Sequence, residues 1–303
     1  MHYVGRAEGA TLGRPSLYEH HSTGYTLASL VDHTSGSVHT GLSLNELAVG
    51  GSISAHVHSF EEGFYLLAGQ ALVGINDQSY LLGPGDFGAI KVGTVHAWRN
   101  AGAGPVRWMQ MAAPQPKPAG RERDTFFAGT ARVPSGAATA RVPSDEAPLD
   151  VASGSSQKPP ALLGHFDVSQ IPDVASGSSR TPHTDGPPPG VFLKWMIDEP
   201  FGARHHRMLF IEYQPGVSIG LHDHTFEEAY YILSGEVQAT LDGQRYVVKP
   251  GDVVWTSVGC VHAFANIGSV PVRWLETFSP QPPAENVFRF MAEWEKKAQD
   301  IET

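Results

Sequence analysis

Residues 50–69, GGSISAHVHSFEEGFYLLAG, decide the fold, because the chain writes them again at residues 216–235 as GVSIGLHDHTFEEAYYILSG. The offset is 166 residues, and the same offset puts His56 on His222, Gly69 on Gly235, His96 on His262, Asn100 on Asn266 and Trp108 on Trp274. The match runs without a gap from Leu30-Val31-Asp32, over Met196-Ile197-Asp198, to Pro114-Gln115-Pro116, over Pro280-Gln281-Pro282. Self-similarity at one fixed offset means one structural unit built twice.

Working outward, each copy consists of short apolar or alternating runs broken by Gly, Pro, Asn or Asp, as in EGFYLLAGQALVGINDQSYLLGPGDFGAI and EAYYILSGEVQATLDGQRYVVKPGDVVWT. IND and LDG signal hairpins, and PGD signals a turn into a new strand. Many short strands at this spacing predict an all-β chain folded into antiparallel sandwiches or barrels. Residues 121–190 are rich in Pro, Gly, Ser and Ala and repeat the phrases ARVPS and DVASGSS, so they read as a linker. The expected organisation is a barrel over 1–120, the linker over 121–190 and a second barrel over 191–303. Within the linker, the apolar stretch from Leu162 to Pro172 is expected to dock on a domain as an edge strand. AENVFRFMAEWEKKA, residues 284–298, sets Val287, Phe288, Met291 and Trp294 near one helical face, which predicts a C-terminal helix packed outside a barrel.

Composition narrows the function. A formal charge of −10 and the lack of a basic run disfavour nucleic acid as a partner. No stretch approaches the roughly 20 consecutive apolar residues of a membrane helix. The single cysteine, Cys260, excludes an intrachain disulfide, and the first residues lack a secretory pattern, so a reducing cytoplasm is the expected compartment. A small-molecule substrate is the expected partner.

The histidines point to a metal. Residues two apart in a strand share a face, so His56 and His58 project together into the barrel; Glu62 keeps that parity, and a hairpin brings His96 alongside. Imidazoles with a carboxylate suit Mn, Fe, Ni, Cu or Zn. The second copy supplies His222, His224, Glu228 and His262 at identical spacing. One divalent transition metal per barrel is expected, with Fe or Mn favoured.

These stretches resemble the cupin family. From Gly50 the chain fits its first motif, G(x)5HxH(x)3,4E(x)6G, and from Gly85 its second, G(x)5PxG(x)2H(x)3N, with Lys91 at the Pro position. The second copy fits both, with Ser257 at that position, so the chain resembles a bicupin. The resemblance implies two fused jelly-roll (double-stranded β-helix) barrels, and it implies that the departures touch a turn and leave the ligands in place. Fused barrels are also similar to the dimer of single-domain cupins, so further assembly into a homo-oligomer is a family-level expectation.

Around the ligands the copies diverge. Parity turns Phe64, Thr94 and Trp98 inward in the first barrel, and Tyr230, Cys260 and Phe264 in the second. Tyr230 is a candidate hydrogen-bond donor to a metal-bound substrate, and Arg207, where the first copy has Gly41, is a candidate anchor for a substrate carboxylate. Cys260 reads as a small buried hydrophobe, Trp108 and Trp274 as core, and Glu61 and Glu227 as outward, solvated carboxylates. Three histidines and one glutamate are similar to the sets of flavonol dioxygenases and oxalate decarboxylases. The apolar linings favour an O2-using dioxygenase acting on a small aromatic or enol-type substrate. The alternatives are a Mn-dependent decarboxylase, a hydrolase like the ureidoglycine aminohydrolases, whose ligand set differs, and a non-catalytic binder of a small molecule. Two metals are expected, but not two equivalent active sites.

Overall fold

The strand Gly41–His58 runs for 18 residues and carries the first repeat. Its first part pairs with Val106–Ala113 and its last part with His96–Asn100, so one strand serves both walls of a barrel. Gly50 lies between them at φ 74°, a left-handed conformation that a side chain would strain. In the second repeat the same segment is split into Arg207–Tyr213 and His222–His224. Pro215 stands there in place of Val49, and proline has no N–H to give to a central ladder. The computed structural model describes residues 1–6, 9–76, 78–118, 121, 123–128, 139–141, 161–171, 189–281 and 288–290. Its strands form an 11-stranded sheet that wraps the first barrel, and sheets of six and five strands that make the second.

The C-terminal helix expected over 284–298 is corrected at its centre. Phe288–Phe290 is a strand, paired antiparallel with His222–His224. Aromatic residues favour extended backbone where a sheet edge offers unpaired N–H and C=O groups, and His222–His224 is such an edge without this partner. Residues 282–287 and 291–303 lie outside the described residues.

Each barrel is completed by a strand that precedes the other repeat. His2–Gly5 pairs with Val253–Thr256 of the second repeat, and Ala161–His165 pairs with Asp86–Ile90 of the first. The registers correspond: His2 faces Thr256 as Ala161 faces Ile90. Arg6 reaches Asp252 at 2.7 Å as His165 reaches Asp86 at 2.7 Å. The docking expected near Leu162 is this exchanged strand. Thr125–Phe127 and Thr139–Arg141, also from the stretch read as linker, add to the first barrel. Much of the remaining stretch lies outside the described residues.

Strand alternation gives three large cores among the described residues. One fills the first barrel, with Phe64, Leu66, Trp98 and Trp108; one fills the second, with Tyr230, Ile232, Phe264 and Trp274. The third lies between the barrels, where Tyr65, Met109 and Met111 meet Met208, Phe210 and Leu275. The expectation that Trp108 and Trp274 are core residues agrees with their burial.

Glu61 and Glu227 correct the parity reading. They do point away from their own barrels, but into the partner domain, and both are buried. Glu227 accepts hydrogen bonds from Ser37 Oγ at 2.7 Å and from the N–H groups of Val38, His39 and Thr40 at 2.9, 3.0 and 3.2 Å. Glu61 accepts from the N–H groups of Arg204 at 2.9 Å and His205 at 3.1 Å, and His206 Nδ1 lies 2.9 Å from it. The two clasps are repeat-related, since residues 37–40 correspond to 203–206. A carboxylate can face outward in a strand and still be dry when a second domain covers that face. Gly63 permits the approach, because a Cβ there would collide with the His206 ring.

Deleting residues 1–6 should speed amide exchange in Val253–Thr256 and leave Asp86–Ile90 protected, as measured by hydrogen–deuterium exchange. Glu227→Ala should cost about 3 kcal/mol, because it strands several buried donors at once, and should lower the melting temperature by roughly 5–10 °C in calorimetry.

Candidate metal centres

His56 and His58 lie near the end of one strand, and pairing sets His56 across from His96. In the second repeat His222 stands across from His262 in the same way. All eight side chains are buried. Their rings cluster: His56–His96 centroids are 4.1 Å apart and His58–His96 5.0 Å, against 4.4 Å for His222–His262 and 5.0 Å for His224–His262. In each barrel the three imidazoles form a triad able to hold a metal ion, with donor atoms within 4.8 Å of one another.

The carboxylates complete the clusters. Glu62 Oε2 lies 3.1 Å from His58 Nε2 and 3.4 Å from His96 Nε2; Glu228 lies 3.1 Å from both His224 Nε2 and His262 Nε2. Donors about 2.1 Å from one ion and at right angles to each other stand about 3.0 Å apart, so these spacings suit common ligation. The ring nitrogens on the far side are tied back. His56 Nδ1 meets the Ser54 carbonyl at 2.7 Å and His96 Nδ1 the Thr94 carbonyl at 2.9 Å. His222 Nδ1 meets Gly220 O at 2.6 Å and His262 Nδ1 meets Cys260 O at 3.0 Å. An N–H spent on a carbonyl leaves the Nε2 lone pair facing the cluster. The buried Nε2 atoms of His58 and His96 both face the Glu62 carboxylate, at 3.1 and 3.4 Å, so the donor atoms of three ligands converge on one point.

Electrostatics favour a cation. Burial raises the Glu62 carboxyl, but hydrogen bonds and charge from His58 and His96 outweigh it and hold the group well below the usual range. Glu228 is held down in the same sense by His224 and His262. Burial keeps His56 and His58 neutral to lower pH than usual and brings His222 down to about 4. His262 is raised instead, because Glu228 outweighs its burial.

Cross-strand partners share a face, and this locates the pocket residues. In the second barrel one row reads Thr256, Glu228, Phe278, Arg207. Arg207 is therefore on the inward face, with its guanidinium 5.6 Å from the Trp195 ring centroid. The matching row of the first barrel is Ile90, Glu62, Ala112, Gly41, with far smaller residues at the last two stations. The next row holds Tyr230 and Glu276 in the second barrel but Phe64 and Gln110 in the first. The Tyr230 hydroxyl donates to the Glu228 carboxylate and lies 3.1 Å from His262 Nε2. Cys260 is buried, and its thiol is pushed up to about 12 by burial, so it behaves as the inert group expected. A third cluster, His2, Asp242 and Cys260, already joins His2 Nδ1 to Asp242 at 3.1 Å and the Val261 N–H to the same carboxylate.

Several residues of the centres escaped the sequence reading. Phe60 stacks on His58 at 4.3 Å and Phe226 on His224 at 4.6 Å; their shared offset was a signal that could have found them. Glu276 accepts from Trp274 Nε1 at 2.9 Å, and burial beside Glu228 holds its carboxyl well above the usual range. Tyr18 packs edge-on against His56 at 5.7 Å, and it lies outside the repeat, where no pattern marks it.

The cupin domain family matches residues 43–111 and 209–278. The oxalate-binding protein of Thermotoga maritima is 42% identical over 62 residues, which is 20% of this chain and 51% of that protein. The chain spans about half the length of two curated relatives it matches. Oxalate decarboxylase from Lactobacillus farciminis, in its formate complex, superposes with a TM-score of 0.64 at 16% identity, covering 97% of this chain and 90% of that one. Bacillus subtilis oxalate decarboxylase, studied for its Mn(II) centres, superposes with a TM-score of 0.63 at 16% identity, covering 97% and 80%. At such identity the likeness speaks for fold alone. Two family matches in register, on two barrels that each gather the same four side chains, make this chain a bicupin.

Proposed function

We propose that this bicupin is a metal-dependent enzyme, with one divalent ion held by His56, His58, Glu62 and His96 and another by His222, His224, Glu228 and His262. The observation that carries the reading is the meeting of buried imidazole Nε2 atoms with one buried carboxylate in each barrel. When bound, the ion would supply a Lewis acid with coordination positions left over for substrate.

Within that reading we favour manganese as the ion, a small carboxylate as the substrate and decarboxylation of the oxalate type as the reaction. A mixed nitrogen and oxygen set suits Mn(II), and the relatives named above bind or decarboxylate oxalate. Arg207, inward and in line with Glu228, offers a two-pronged donor to a carboxylate. Burial and the Glu228 charge raise the Glu276 carboxyl beside Tyr230, and Phe264 and Trp274 line that side with apolar surface. A second reading, a dioxygenase acting on an aromatic or enol-type substrate, draws on the first barrel, where Phe64 and Trp98 pack edge to face at 5.1 Å beside the ligands.

Gas exchange separates the two. Manganese-loaded protein given oxalate and other short dicarboxylates should release CO2 without net O2 uptake, and Arg207→Ala should raise KM about 10-fold or more. Stoichiometric O2 uptake on enol or aromatic substrates, without CO2 release from oxalate, would move the assignment to the second reading.

Metal content tests the ligands. Glu62→Ala and Glu228→Ala should each reduce two Mn per chain to one. An imidazole must be neutral to bind, and a lowered pKa keeps it neutral as pH falls. His56 and His58 are both lowered, whereas the second centre combines a lowered His222 with a raised His262, so the second centre should release its ion first. Between pH 7 and 5, Glu62→Ala protein should therefore lose Mn at a higher pH than Glu228→Ala protein.

A further inference from the structure

The repeat gives both centres the same four ligands, and segments outside it make them different. In the first barrel Thr125–Phe127 lies along the histidine strand, with Thr125 opposite His58 and Phe127 opposite His56. Phe288–Phe290 takes the same station in the second, with Phe288 opposite His224 and Phe290 opposite His222. A hydroxyl residue in one barrel thus corresponds to a phenylalanine in the other.

That hydroxyl is the hub of a buried network. Thr125 Oγ1 lies 2.9 Å from His58 Nδ1 and 3.3 Å from Asp124 Oδ1, with the Tyr18 side chain beside it. Tyr18, Asp124 and Thr125 are all buried. A threonine hydroxyl has one proton and two lone pairs. If His58 Nδ1–H donates to it, Thr125 donates its own proton to the Asp124 carboxylate, and a second lone pair is left on the side of the Tyr18 hydroxyl. Asp124 is fixed in turn by the Lys117 N–H at 2.5 Å. Each group then has one consistent role, and polarity runs from His58 through Thr125 to a carboxylate. Such a chain fixes the proton on Nδ1, turns Nε2 toward Glu62 and makes that nitrogen a stronger donor. The Tyr18 ring, edge-on to Phe127 at 5.3 Å, closes the network from the outside.

We propose that Tyr18, Thr125 and Asp124 form a positioning relay that sets the orientation and donor strength of His58 at the N-terminal centre. The proposal rests on reading the two clusters as metal centres. Its residues act through His58 and touch no reacting atom.

The test is Mn(II) titration of the full chain, followed by calorimetry and electron paramagnetic resonance. In a Glu228→Ala background, where only the N-terminal centre binds, Thr125→Val should weaken Mn(II) about 10- to 100-fold and change the resonance line shape. Tyr18→Phe should weaken it less, and Thr125→Ser should restore it. In a Glu62→Ala background the same substitutions should leave Mn(II) affinity at the other centre unchanged. Wild-type affinity in Thr125→Val, or equal weakening at both centres, would overturn the relay while the metal centres stand. Two Mn still bound in Glu62→Ala would instead sink the centre assignment beneath it. If Thr125→Val fails to fold, Tyr18→Phe and Thr125→Ser decide the matter by the same readouts.

Discussion

A carboxylate taken out of water must be given positive charge or hydrogen bonds, at a cost otherwise of several kcal/mol. Glu62 and Glu228 sit deep in their barrels, and the surrounding geometry answers that demand. Imidazoles supply the partners, and the strands supply the imidazoles, two from one strand at a spacing of two and one from its neighbour. Four of the rings are tethered by the carbonyl two residues earlier in the chain, so the strand that carries each of these histidines also aims it. Phe60 and Phe226 brace the remaining imidazoles by stacking.

The same strand alternation connects the centres to the interface. Glu61 and Glu62 are neighbours, and so are Glu227 and Glu228; one of each pair faces inward and the other reaches the partner domain. The loop held by Glu61 runs directly into Arg207, and the loop held by Glu227 runs directly into Gly41. Each centre is thus a few residues from the element that shapes the mouth of the other. The exchanged strands and the apolar core between the barrels bind the halves in the same reciprocal manner. Part of the wall around each repeat thus comes from outside it.

Within this symmetry the pockets diverge by substitution at matched stations. Phe278, Arg207, Tyr230 and Glu276 crowd the second pocket with a charge and two protic groups, where the first has Ala112, Gly41, Phe64 and Gln110. The first barrel recovers a phenol from Tyr18, which enters from a 3-10 turn ahead of the repeat. Duplication preserved the ligands, whose spacing is set by one strand and one hairpin. The linings depend on residues from several strands and drifted.

The sequence by itself determined the all-β class, the duplication and the eight side chains that gather in two clusters, because period-two alternation and a constant offset are local properties of the chain. It also gave the inward direction of Phe64, Trp98, Tyr230 and Phe264 by parity. Parity was insufficient for Glu61 and Glu227, since it says which side of a strand a residue faces and not what covers that side. Helical periodicity in AENVFRFMAEWEKKA was overridden at Phe288–Phe290, where an open edge beside His222–His224 rewarded an extended backbone. Tyr18, Thr125 and the exchanged strand His2–Gly5 had no local signature, for their roles exist only once distant segments meet. Only tertiary structure decided those contacts, because which strand lies at an edge, and what fills it, is a property of the assembled sheets.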